Sequence, residues 1–378
     1  MLSTENAKQI LVKTNGASLR KARELGAEKT IEFITKKGLK GRGGAGNLAG
    51  KKWGEVAAQP EKEKYFVVNC DEGEPGTFKD RFILENNCET FIEGIEIACF
   101  AIGARKAFVY VRGEYTALAV ELEKKIAAAK PASSVPIEIV VGAGAYVCGE
   151  QTALLNSIEG RRGTPRLKPP FPATYGLYGK PTVVNNVETV TNAALAFRDD
   201  WNPSLYLFSV SGNVRKPGVY ERPLGVKLGD LLADAEPTEA PKAVFFGAAG
   251  GCLKYDAALA LDHATIDAVA KKQTLGVMLG SCTVVVVGVK QSVANVVLSI
   301  ARFFEHESCG NCAPCREITG IVRKRVECAL AARSFGSEFA PFLESSSVLM
   351  RTASLCGLGQ CAIGALVSAV KQFPSEFR

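Results

Sequence analysis

Three cysteines near the C-terminus stand two residues apart, in the segment SCGNCAPCR. This C-x2-C-x2-C spacing lets the thiolates of Cys309, Cys312 and Cys315 turn inward onto three irons of one cubane. Gly310 and Pro314 shape the tight backbone around them. The motif constrains the fold, because a fourth ligand has to be brought to the same place from elsewhere in the chain.

The fourth ligand has two candidates. Cys356 is the better one because it also lies in a glycine-rich turn, SLCGLG, and Cys361 is the runner-up. The alternatives to an iron–sulfur cluster are a zinc site, disulfides or buried apolar cysteines. Structural zinc usually uses two separated C-x2-C pairs or histidine, and the only histidines are His263 and His306.

Length and composition predict a soluble protein of two or three domains. The chain has 378 residues, of which 47% are hydrophobic and 22% charged, which is ordinary for globular proteins. The polar N-terminus has no signal-peptide core, and no apolar run approaches the length of a membrane span. Twelve cysteines without a secretion signal indicate a reducing compartment, so we expect a cytoplasmic protein with no direct membrane insertion.

The formal net charge of +7 leaves several readings open. It fits a solvated basic surface, a site for phosphate-bearing cofactors, or an acidic partner. Nucleic-acid binding is not expected, because the sequence shows no recognition motif and no basic stripe with interleaved aromatic residues.

A first glycine-rich segment, GLKGRGGAGNLAGKKW, contains G-x-G-x-x-G over 41–46. It does not follow a convincing strand, as the dinucleotide fingerprint requires. Nor is it a phosphate-binding loop of the nucleoside-triphosphatase kind, because Ala45 and Trp53 stand where glycine and Ser or Thr should be. What remains is a run of main-chain N–H groups able to approach an anion, or else a flexible basic loop. The flanking basic side chains are those of Arg42, Lys51 and Lys52.

Strands and helices alternate between the two glycine-rich segments, which is typical of an α/β domain. The first strand, Tyr65–Asn69, runs into CDEGEPGT, whose three carboxylates stand where open α/β sheets bind ligands. The alternative for these carboxylates is a solvated acidic turn. The further predicted elements are a helix over 80–102, a strand over 107–111, a helix over 115–129 and a strand over 137–141.

The strand over 137–141 opens into a second glycine-rich loop, GAGAYVCGEQT, which leads into a helix ending near Glu159. Strand, glycine loop and helix form the context expected for a phosphate or flavin contact. A basic segment interrupted by prolines follows, and then VVNNVET, whose paired asparagines can donate and accept hydrogen bonds.

The pattern changes after Trp201. Short strand-like runs up to Gly288 predict a small β-rich domain, and apolar spacing from Ser292 onward predicts a helical bundle that holds the cluster. We therefore divide the chain into 1–200, 201–290 and 291–378.

The whole set of motifs resembles one family. GRGGAG, NCDEGEPGTFKDR, GAGAYVCGEQTAL, PRLKPPFP, GKPTVVNNVET and ESCGNCAPCRE are similar to those of the flavoprotein subunit of respiratory NADH:quinone oxidoreductase. The chain also resembles the diaphorase subunits of NAD(P)-linked [FeFe]-hydrogenases and formate dehydrogenases. The resemblance runs from about Gly38 to Phe373.

The resemblance implies a fold and a set of ligands. The fold is an α/β flavin domain, a ubiquitin-like (β-grasp) domain and a four-helix bundle with a [4Fe-4S] cluster. The residues that match FMN-binding positions are Gly41, Arg42, Gly43, Gly44, Lys52, Asn69, Asp71, Gly149, Glu150, Asn185, Asn186 and Thr189. Those that match contacts of NAD(H) or NADP(H) are Glu74, Tyr146 and Phe171, and Gln151 is a further candidate for binding this cofactor, at a position where the family has a glutamate. The matched cluster ligands are Cys309, Cys312, Cys315 and Cys356, which on the resemblance favours Cys356 over Cys361.

The implied function is electron input into a multi-subunit oxidoreductase. FMN would take a hydride from a nicotinamide, so the protein needs no general acid, and Glu74 and Glu150 would position the reactants. The implied partners are a small thioredoxin-like [2Fe-2S] subunit and a larger iron–sulfur subunit of a hydrogenase, dehydrogenase or transhydrogenase, and the complex could be electron-bifurcating. The alternative is an electron-relay or scaffold subunit with a degenerate dinucleotide site.

The sequence departs from the family pattern at three places. Asn47-Leu48-Ala49 replaces Phe-Pro-Thr, and Glu55 replaces an aromatic residue that would flank the adenine. Lost aromatic contacts should weaken dinucleotide binding. Gln151 replaces a glutamate, which removes a charge that would repel a 2′-phosphate, so NADPH should be accepted as well as or instead of NADH. Arg161, Arg162, Arg166 and Lys168 offer positive charge nearby in the sequence.

Overall fold

The structure is a computed structural model that describes residues 3–44, 46–129, 135–273 and 275–378. The chain divides into two compact units. The N-terminal unit contains 4–73 and 78–205, and the C-terminal unit contains 74–77 and 206–378. The first boundary lies close to the predicted one at 200, while the division between 201–290 and 291–378 stays a prediction.

The N-terminal unit is built on a parallel sheet of four strands. They are β1 (Tyr65–Cys70), β2 (Lys106–Val111), β3 (Ile137–Val141) and β4 (Thr182–Asn186). Their order in the sheet is β3-β2-β1-β4, and all three pairings are parallel. The central strand β1 is almost wholly buried because helices cover it, which explains its continuous apolar run, YFVV.

The strand order creates a topological switch point beside β1. The chain adds β2 and β3 on one side of β1 and then returns to place β4 on the other side. The carboxyl ends of β1 and β4 therefore lie side by side, at the edge where open α/β sheets bind ligands, and we call this place the crevice.

Nine helices of the N-terminal unit, within the described residues, surround this sheet. They are α1 (Ala17–Leu25), α2 (Ala27–Lys36), α3 (Ala49–Ala57), α4 (Lys79–Asn86), α5 (Cys88–Ile102), α6 (Thr116–Ala129), α7 (Gln151–Ile158), α8 (Pro172–Tyr175) and α9 (Val187–Leu195). The apolar helix α5 packs against α9, β1 and β2. Short 3-10 helices span 113–115, 146–149 and 177–179.

The single helix predicted over 80–102 is wrong in one respect, since it is broken at Asn87. This residue has φ −145° and ψ 50°, which is not helical. Its Nδ2 atom donates hydrogen bonds to the carbonyl oxygens of Ile10 (2.8 Å) and Val12 (2.9 Å). The fully buried amide thus binds a distant segment, and that tertiary contact decides the break.

The C-terminal unit begins with a mixed sheet of five strands in the order β6-β5-β9-β7-β8. The strands are β5 (Leu205–Gly212), β6 (Gly218–Pro223), β7 (Pro241–Phe245), β8 (Cys252–Lys254) and β9 (Thr283–Gly288). The helices α10 (Leu228–Ala235) and α11 (His263–Gln273) share a buried apolar core with it. β9 contains the apolar run Val284–Val287.

The segment 74–77 belongs to this unit because it packs on the five-stranded sheet. A Cβ atom added to Gly76 would lie 2.7 Å from Val285 Cγ2 in β9. Gly76 also has φ +88°, so a side chain is excluded there both by contact and by backbone conformation.

The chain ends in five helices: α12 (Val293–Glu307), α13 (Ala313–Ala332), α14 (Phe339–Ala353), α15 (Gly357–Cys361) and α16 (Gly364–Gln372). α12 packs on α13 and α16, and α14 packs on the same two helices, while the short α15 contacts α13 and α14. A 3-10 helix, Pro374–Phe377, follows. In the portions of the chain that the structure describes, no helix is both long enough and apolar enough to cross a membrane.

Candidate functional site

The ends of β1 and β4 bring together residues that lie far apart in the sequence. Asn69 and Asn186 are paired neighbours in the sheet register. Asn69 Nδ2 donates to the carbonyl oxygen of Gly149 at 2.9 Å, and Asn69 Oδ1 accepts from the backbone N–H of Asp71 at 2.9 Å. The second glycine-rich loop is therefore fastened to the end of β1.

The first glycine-rich segment reaches the same place from the other side. The backbone N–H of Arg42 donates to Thr189 Oγ1 at 2.8 Å. A Cβ atom added to Gly43 would lie 3.3 Å from Asn186 Cβ, so the loop approaches β4 more closely than most side chains allow. Gly44 follows with φ +107°. Ala45 lies outside the described residues.

Two large side chains of this segment donate hydrogen bonds to other parts of the N-terminal unit. The side chain of Arg42 is buried, and its Nη2 atom donates to the carbonyl oxygen of Pro203 at 2.9 Å. Trp53 is fully buried and donates from Nε1 to Asn185 Oδ1 at 2.8 Å. Sequence reasoning treated Trp53 only as a mismatch to a phosphate-binding loop, although a tryptophan beside a polar strand end signals such a bond.

Lys52 is the cation at this crevice. Its Nζ atom donates to the carbonyl oxygen of Val184 at 2.8 Å and to Gln151 Oε1 at 3.3 Å. Burial lowers the pKa of Lys52 to about 8, with Lys168 lowering it further and Glu55 and Glu150 opposing the shift. Burial disfavours the charged form of this ammonium group. An anion bound beside it would raise its pKa again and favour the protonated form.

Glu150 is held by the helix that it precedes. Its Oε2 atom accepts from the backbone N–H groups of Thr152 (2.8 Å) and Ala153 (3.0 Å), which makes it the N-cap of α7. Its Oε1 atom accepts from Lys168 Nζ at 2.6 Å. Burial alone would raise the pKa of Glu150, but these donors together lower it. The carboxylate is thus kept ionised and oriented.

Asn186 is tied into a buried ionic cluster behind the crevice. Lys79 Nζ donates to Asn186 Oδ1 at 3.2 Å and forms ion pairs with Asp80 Oδ1 (2.7 Å) and Glu188 Oε2 (3.0 Å). Asn186 Nδ2 donates to Asp80 Oδ2, and Asn186 Oδ1 also accepts from the N–H of Glu188. Lys79 was not singled out from the sequence, and only its charged neighbours within FKDR signalled it.

The residues that match dinucleotide contacts fall in both units. In the N-terminal unit, Tyr146 lies against Gly73, where an added Cβ would stand 3.0 Å from Tyr146 Cδ2, and Phe171 is exposed. In the C-terminal unit, Glu74 Oε1 accepts from the backbone N–H groups of Ala248 (2.7 Å) and Ala249 (2.8 Å).

The cysteine motif lies at the start of α13 and meets a second segment there. Cys309 precedes the helix, Cys312 is its N-cap, and Cys315 is buried in its first turn. Cys356 is the N-cap of α15. A Cβ atom added to Gly359 in α15 would lie 3.2 Å from Cys315 Cβ, so the second segment passes directly over the first.

The thiols lie close enough to influence one another. Burial raises the pKa of Cys315 to about 11, and the nearby thiols of Cys312, Cys356 and Cys309 raise it further. A hydroxyl opposes the shift, since Ser308 Oγ lies 3.2 Å from Cys315 Sγ. Burial likewise raises the pKa of Cys361 to about 11, and this thiol lies within electrostatic reach of Glu74 and Cys356.

The four thiols need not converge on one point to hold a cubane cluster. Among the residues described by the structure, no three histidine, cysteine or carboxylate side chains converge as a single metal ion requires. A cubane does not need such convergence, because each of its four thiolates binds a different iron.

Two family models match the chain. The model described as the Nuo51 FMN-binding domain matches residues 34–194, and the model of the NADH-ubiquinone oxidoreductase-F iron-sulfur binding region matches 295–378. The first covers the crevice at β1 and β4, and the second covers the four thiols. The chain is therefore an oxidoreductase subunit of the class that carries FMN and a [4Fe-4S] cluster.

The relatives identify the family within this class. The F subunit of the NADH-quinone oxidoreductase of Aquifex aeolicus is 39% identical over 95% of this chain and 88% of that protein. The alpha subunit of the NAD-reducing hydrogenase HoxS of Cupriavidus necator is 35% identical over 93% of this chain and 60% of that protein. The chain belongs to the family of NADH-quinone oxidoreductase F subunits.

A solved structure agrees. An NAD+-reducing [NiFe]-hydrogenase in the H2-reduced state superposes on all of this chain and 67% of that chain, with a TM-score of 0.89 and 35% identity. The predicted family, its two cofactors and its oxidoreductase class are confirmed. The individual site residues stay predictions.

Proposed function

We propose that this chain is the electron-input subunit of a cytoplasmic multi-subunit oxidoreductase, where it passes a hydride between NAD(P)H and FMN and single electrons between FMN and a [4Fe-4S] cluster. The observation that carries the proposal is the meeting of both glycine-rich loops with the ends of β1 and β4. Four segments separated by up to about 150 residues supply polar groups to one crevice, which supports a ligand site there.

The residues in the crevice have separable roles. The backbone of 41–46 would bind the flavin phosphate, with Lys52 supplying positive charge, and Asn69 and Asn185 would orient the ring. Glu150, whose pKa is lowered by its hydrogen-bond donors, would accept hydrogen bonds from ligand hydroxyls. When bound, FMN takes two electrons as a hydride and releases them singly, which a [4Fe-4S] cluster can accept one at a time.

The C-terminal unit is assigned as two domains. We assign 201–290 to a β-grasp-like domain on the basis of its mixed five-stranded sheet and the crossing helices α10 and α11. We assign 291–378 to a four-helix bundle of α12, α13, α14 and α16, because each of these helices packs on two of the others. The four thiols then lie at one end of the bundle.

We further propose that a small thioredoxin-like [2Fe-2S] subunit and a larger iron–sulfur subunit accompany this chain. A site that receives electrons and holds one cluster needs an acceptor outside the chain. Mass spectrometry of the intact complex purified from native cells should find both partners. A fully active monomer from the same cells would contradict this proposal.

Anaerobic titration with NADH or NADPH tests the proposed function directly. If the crevice binds a dinucleotide over FMN, the flavin absorbance bleaches on addition of at least one of them. The alternative is an electron-relay subunit, which the replacements at Asn47, Leu48 and Glu55 favour. That alternative is supported if dithionite bleaches the flavin and neither dinucleotide does.

The pKa of Lys52 gives a prediction on flavin binding. An anionic phosphate should bind best while Lys52 is protonated, and its pKa of about 8 lies well below the ordinary value because of burial. We expect the affinity of apoprotein for FMN to fall by up to about tenfold per pH unit above pH 8. Fluorescence titration with FMN from pH 7 to 9.5 measures this.

The matched control for that titration is Lys52→Gln, which should bind FMN weakly with a flatter pH profile. Below pH 8 the wild-type protein should bind more tightly than the variant, and above pH 9 the two should converge. A wild-type profile as flat as that of Lys52→Gln would show that this ammonium group does not contact the flavin.

A second prediction concerns the choice of dinucleotide. A glutamate at position 151 would add negative charge near a 2′-phosphate, and like charges in a partly desolvated site repel by about 1–4 kcal/mol. That energy corresponds to about 10- to 1,000-fold in affinity. Gln151 is neutral and accepts a hydrogen bond from Lys52, so we expect NADPH to reduce the flavin in the wild type and to lose this ability in Gln151→Glu.

The control for this experiment is Gln151→Met, which removes the amide without adding charge. Flavin reduction by NADH and by NADPH is compared in all three proteins. If NADPH fails in both wild type and Gln151→Glu, or serves both equally well, the charge argument is wrong. Lys52 donates to Gln151 and Lys168 donates to the adjacent Glu150, so both cations lie at position 151. The side chains of Arg161 and Arg162 line a separate cavity, while the backbone N–H of Arg166 donates to Thr152 Oγ1 at 2.9 Å.

A further inference from the structure

A cavity of about 660 Å³ lies beside the C-terminal end of α7, and the proposed function does not use it. Its lining is mostly polar and combines guanidinium groups with tyrosine rings. The charged and aromatic residues that line it are Glu159, Arg161, Arg162, Arg166, Tyr175 and Tyr178.

This cavity is separate from the crevice at the ends of β1 and β4. Tyr178 packs edge-on against Tyr65, the first residue of β1, with ring centroids 5.9 Å apart. The cavity therefore faces the amino ends of the parallel strands, whereas the crevice lies at their carboxyl ends. α7 spans this distance, since Gln151 begins it at the crevice and Glu159 follows its last turn, about 12 Å away.

The cavity carries a net positive charge that is held in place. Three arginines face one glutamate. Arg166 Nη2 lies 2.8 Å from Glu159 Oε1, and Arg161 Nε lies 3.7 Å from Glu159 Oε2. Arg166 is further fixed by donating from Nε to Asn156 Oδ1 and from Nη1 to the carbonyl oxygen of Gly176. The lining thus carries three guanidinium groups against one carboxylate, a net positive charge that favours an anionic ligand.

Two tyrosine side chains line the same cavity as these arginines, and much of their surface is exposed. Tyr175 is 59% and Tyr178 52% exposed. Tyr178 has φ +49°, a conformation that costs a non-glycine residue energy, and its backbone N–H donates to Glu159 Oε1 at 2.8 Å. The same carboxylate therefore organises both the arginines and the tyrosine.

We propose that this cavity binds a nucleoside phosphate, at a site distinct from the flavin crevice. Guanidinium groups match the geometry of phosphate oxygens and bind them through paired, charge-assisted hydrogen bonds. Exposed tyrosine faces accept a flat base by stacking. A volume of about 660 Å³ lies within the range of small-molecule sites.

The test is calorimetric titration of the flavin-loaded protein with ADP, pyrophosphate and adenosine, in saturating NAD+. The NAD+ occupies the dinucleotide site if the proposed function is right, and it leaves this readout unchanged if that function is wrong. We expect ADP to bind with one site per chain, pyrophosphate to bind more weakly and adenosine more weakly still. The double variant Arg161→Gln/Arg162→Gln should weaken ADP at least about tenfold.

Two further variants separate the contributions. Tyr178→Ala should weaken ADP and leave pyrophosphate unchanged. Arg105→Gln/Lys124→Gln removes the same net charge from exposed positions of the same unit outside the cavity and should bind ADP as the wild type does. The proposal is overturned if ADP does not bind, if Arg161→Gln/Arg162→Gln binds it unchanged, if the control double variant weakens it equally, or if pyrophosphate binds as tightly as ADP.

Discussion

Cys356→Ala is expected to lose the iron–sulfur cluster, whereas Cys361→Ala is expected to keep it. Cys356 begins α15, where it lies near Cys315, and Gly359 brings the same short helix against Cys315. Cys361 is the last residue of that helix, about 7 Å further along its axis. The negative charge of Glu74 helps to raise the pKa of its thiol. Cys356 is therefore the thiol of this segment that acts on Cys315 in the motif at 309–315.

Iron and sulfide analysis measures this result. We expect about four irons and four sulfides per chain in the wild type and in Cys361→Ala, and few in Cys356→Ala. Cys328→Ala, which removes an exposed thiol, is the control for loss of cysteine as such. An intact cluster in Cys356→Ala together with its loss in Cys361→Ala would reverse the assignment.

Gly44→Val is expected to abolish retention of the flavin. Gly44 has φ +107°, which an L-residue with a branched Cβ rarely adopts. A Cβ atom added to the neighbouring Gly43 would lie only 3.3 Å from Asn186 Cβ. The loop therefore cannot shift toward β4 to relieve the strain. The substitution should therefore displace the N–H groups that approach the ligand and also fill the space that the ligand needs.

The flavin content of the purified protein, read from its absorbance against protein concentration, measures this effect. The matched control is Gly103→Val, which places the same side chain at φ +69° in a position with no neighbouring atoms within 4 Å and outside the crevice. Both variants carry backbone strain, but only Gly44→Val should lose flavin. Full flavin content in Gly44→Val would show that this loop does not form the cradle.

Much of the α/β domain was predictable because its signals are local. The runs at 65–69, 107–111 and 137–141 are strands in the structure with bounds that differ by one residue at most. Each run is short, rich in apolar residues and followed by turn residues, which favours parallel strands, although β3 carries Glu138 and is only partly buried. The break at Asn87 was not predictable, because it depends on hydrogen bonds to Ile10 and Val12, which no local pattern reveals.

Individual side chains were harder to predict than the motifs that contain them. The hydrogen bond from the buried guanidinium of Arg42 to the carbonyl oxygen of Pro203 was not predicted, and the place of Arg42 beside an anion stays a prediction. Lys79 was passed over, although it is an anchor of Asn186. Both outcomes depend on where the chain returns after more than 100 residues, so the residue type and its sequence neighbours carry no sign of them.

The sequence by itself determined the family and two of its cofactors through the resemblance of its motifs, and it singled out the glycine loops and cysteines predicted to hold those cofactors, because such motifs are local in the sequence. The tertiary structure alone decided which motifs meet. The order β3-β2-β1-β4 brings Asn186 beside Asn69, and α15 lies over Cys315. It also placed Arg161 and Arg162 beyond the C-terminal end of α7, whereas Gln151 begins that helix. Such meetings follow from strand order and helix direction, which are properties of the whole fold.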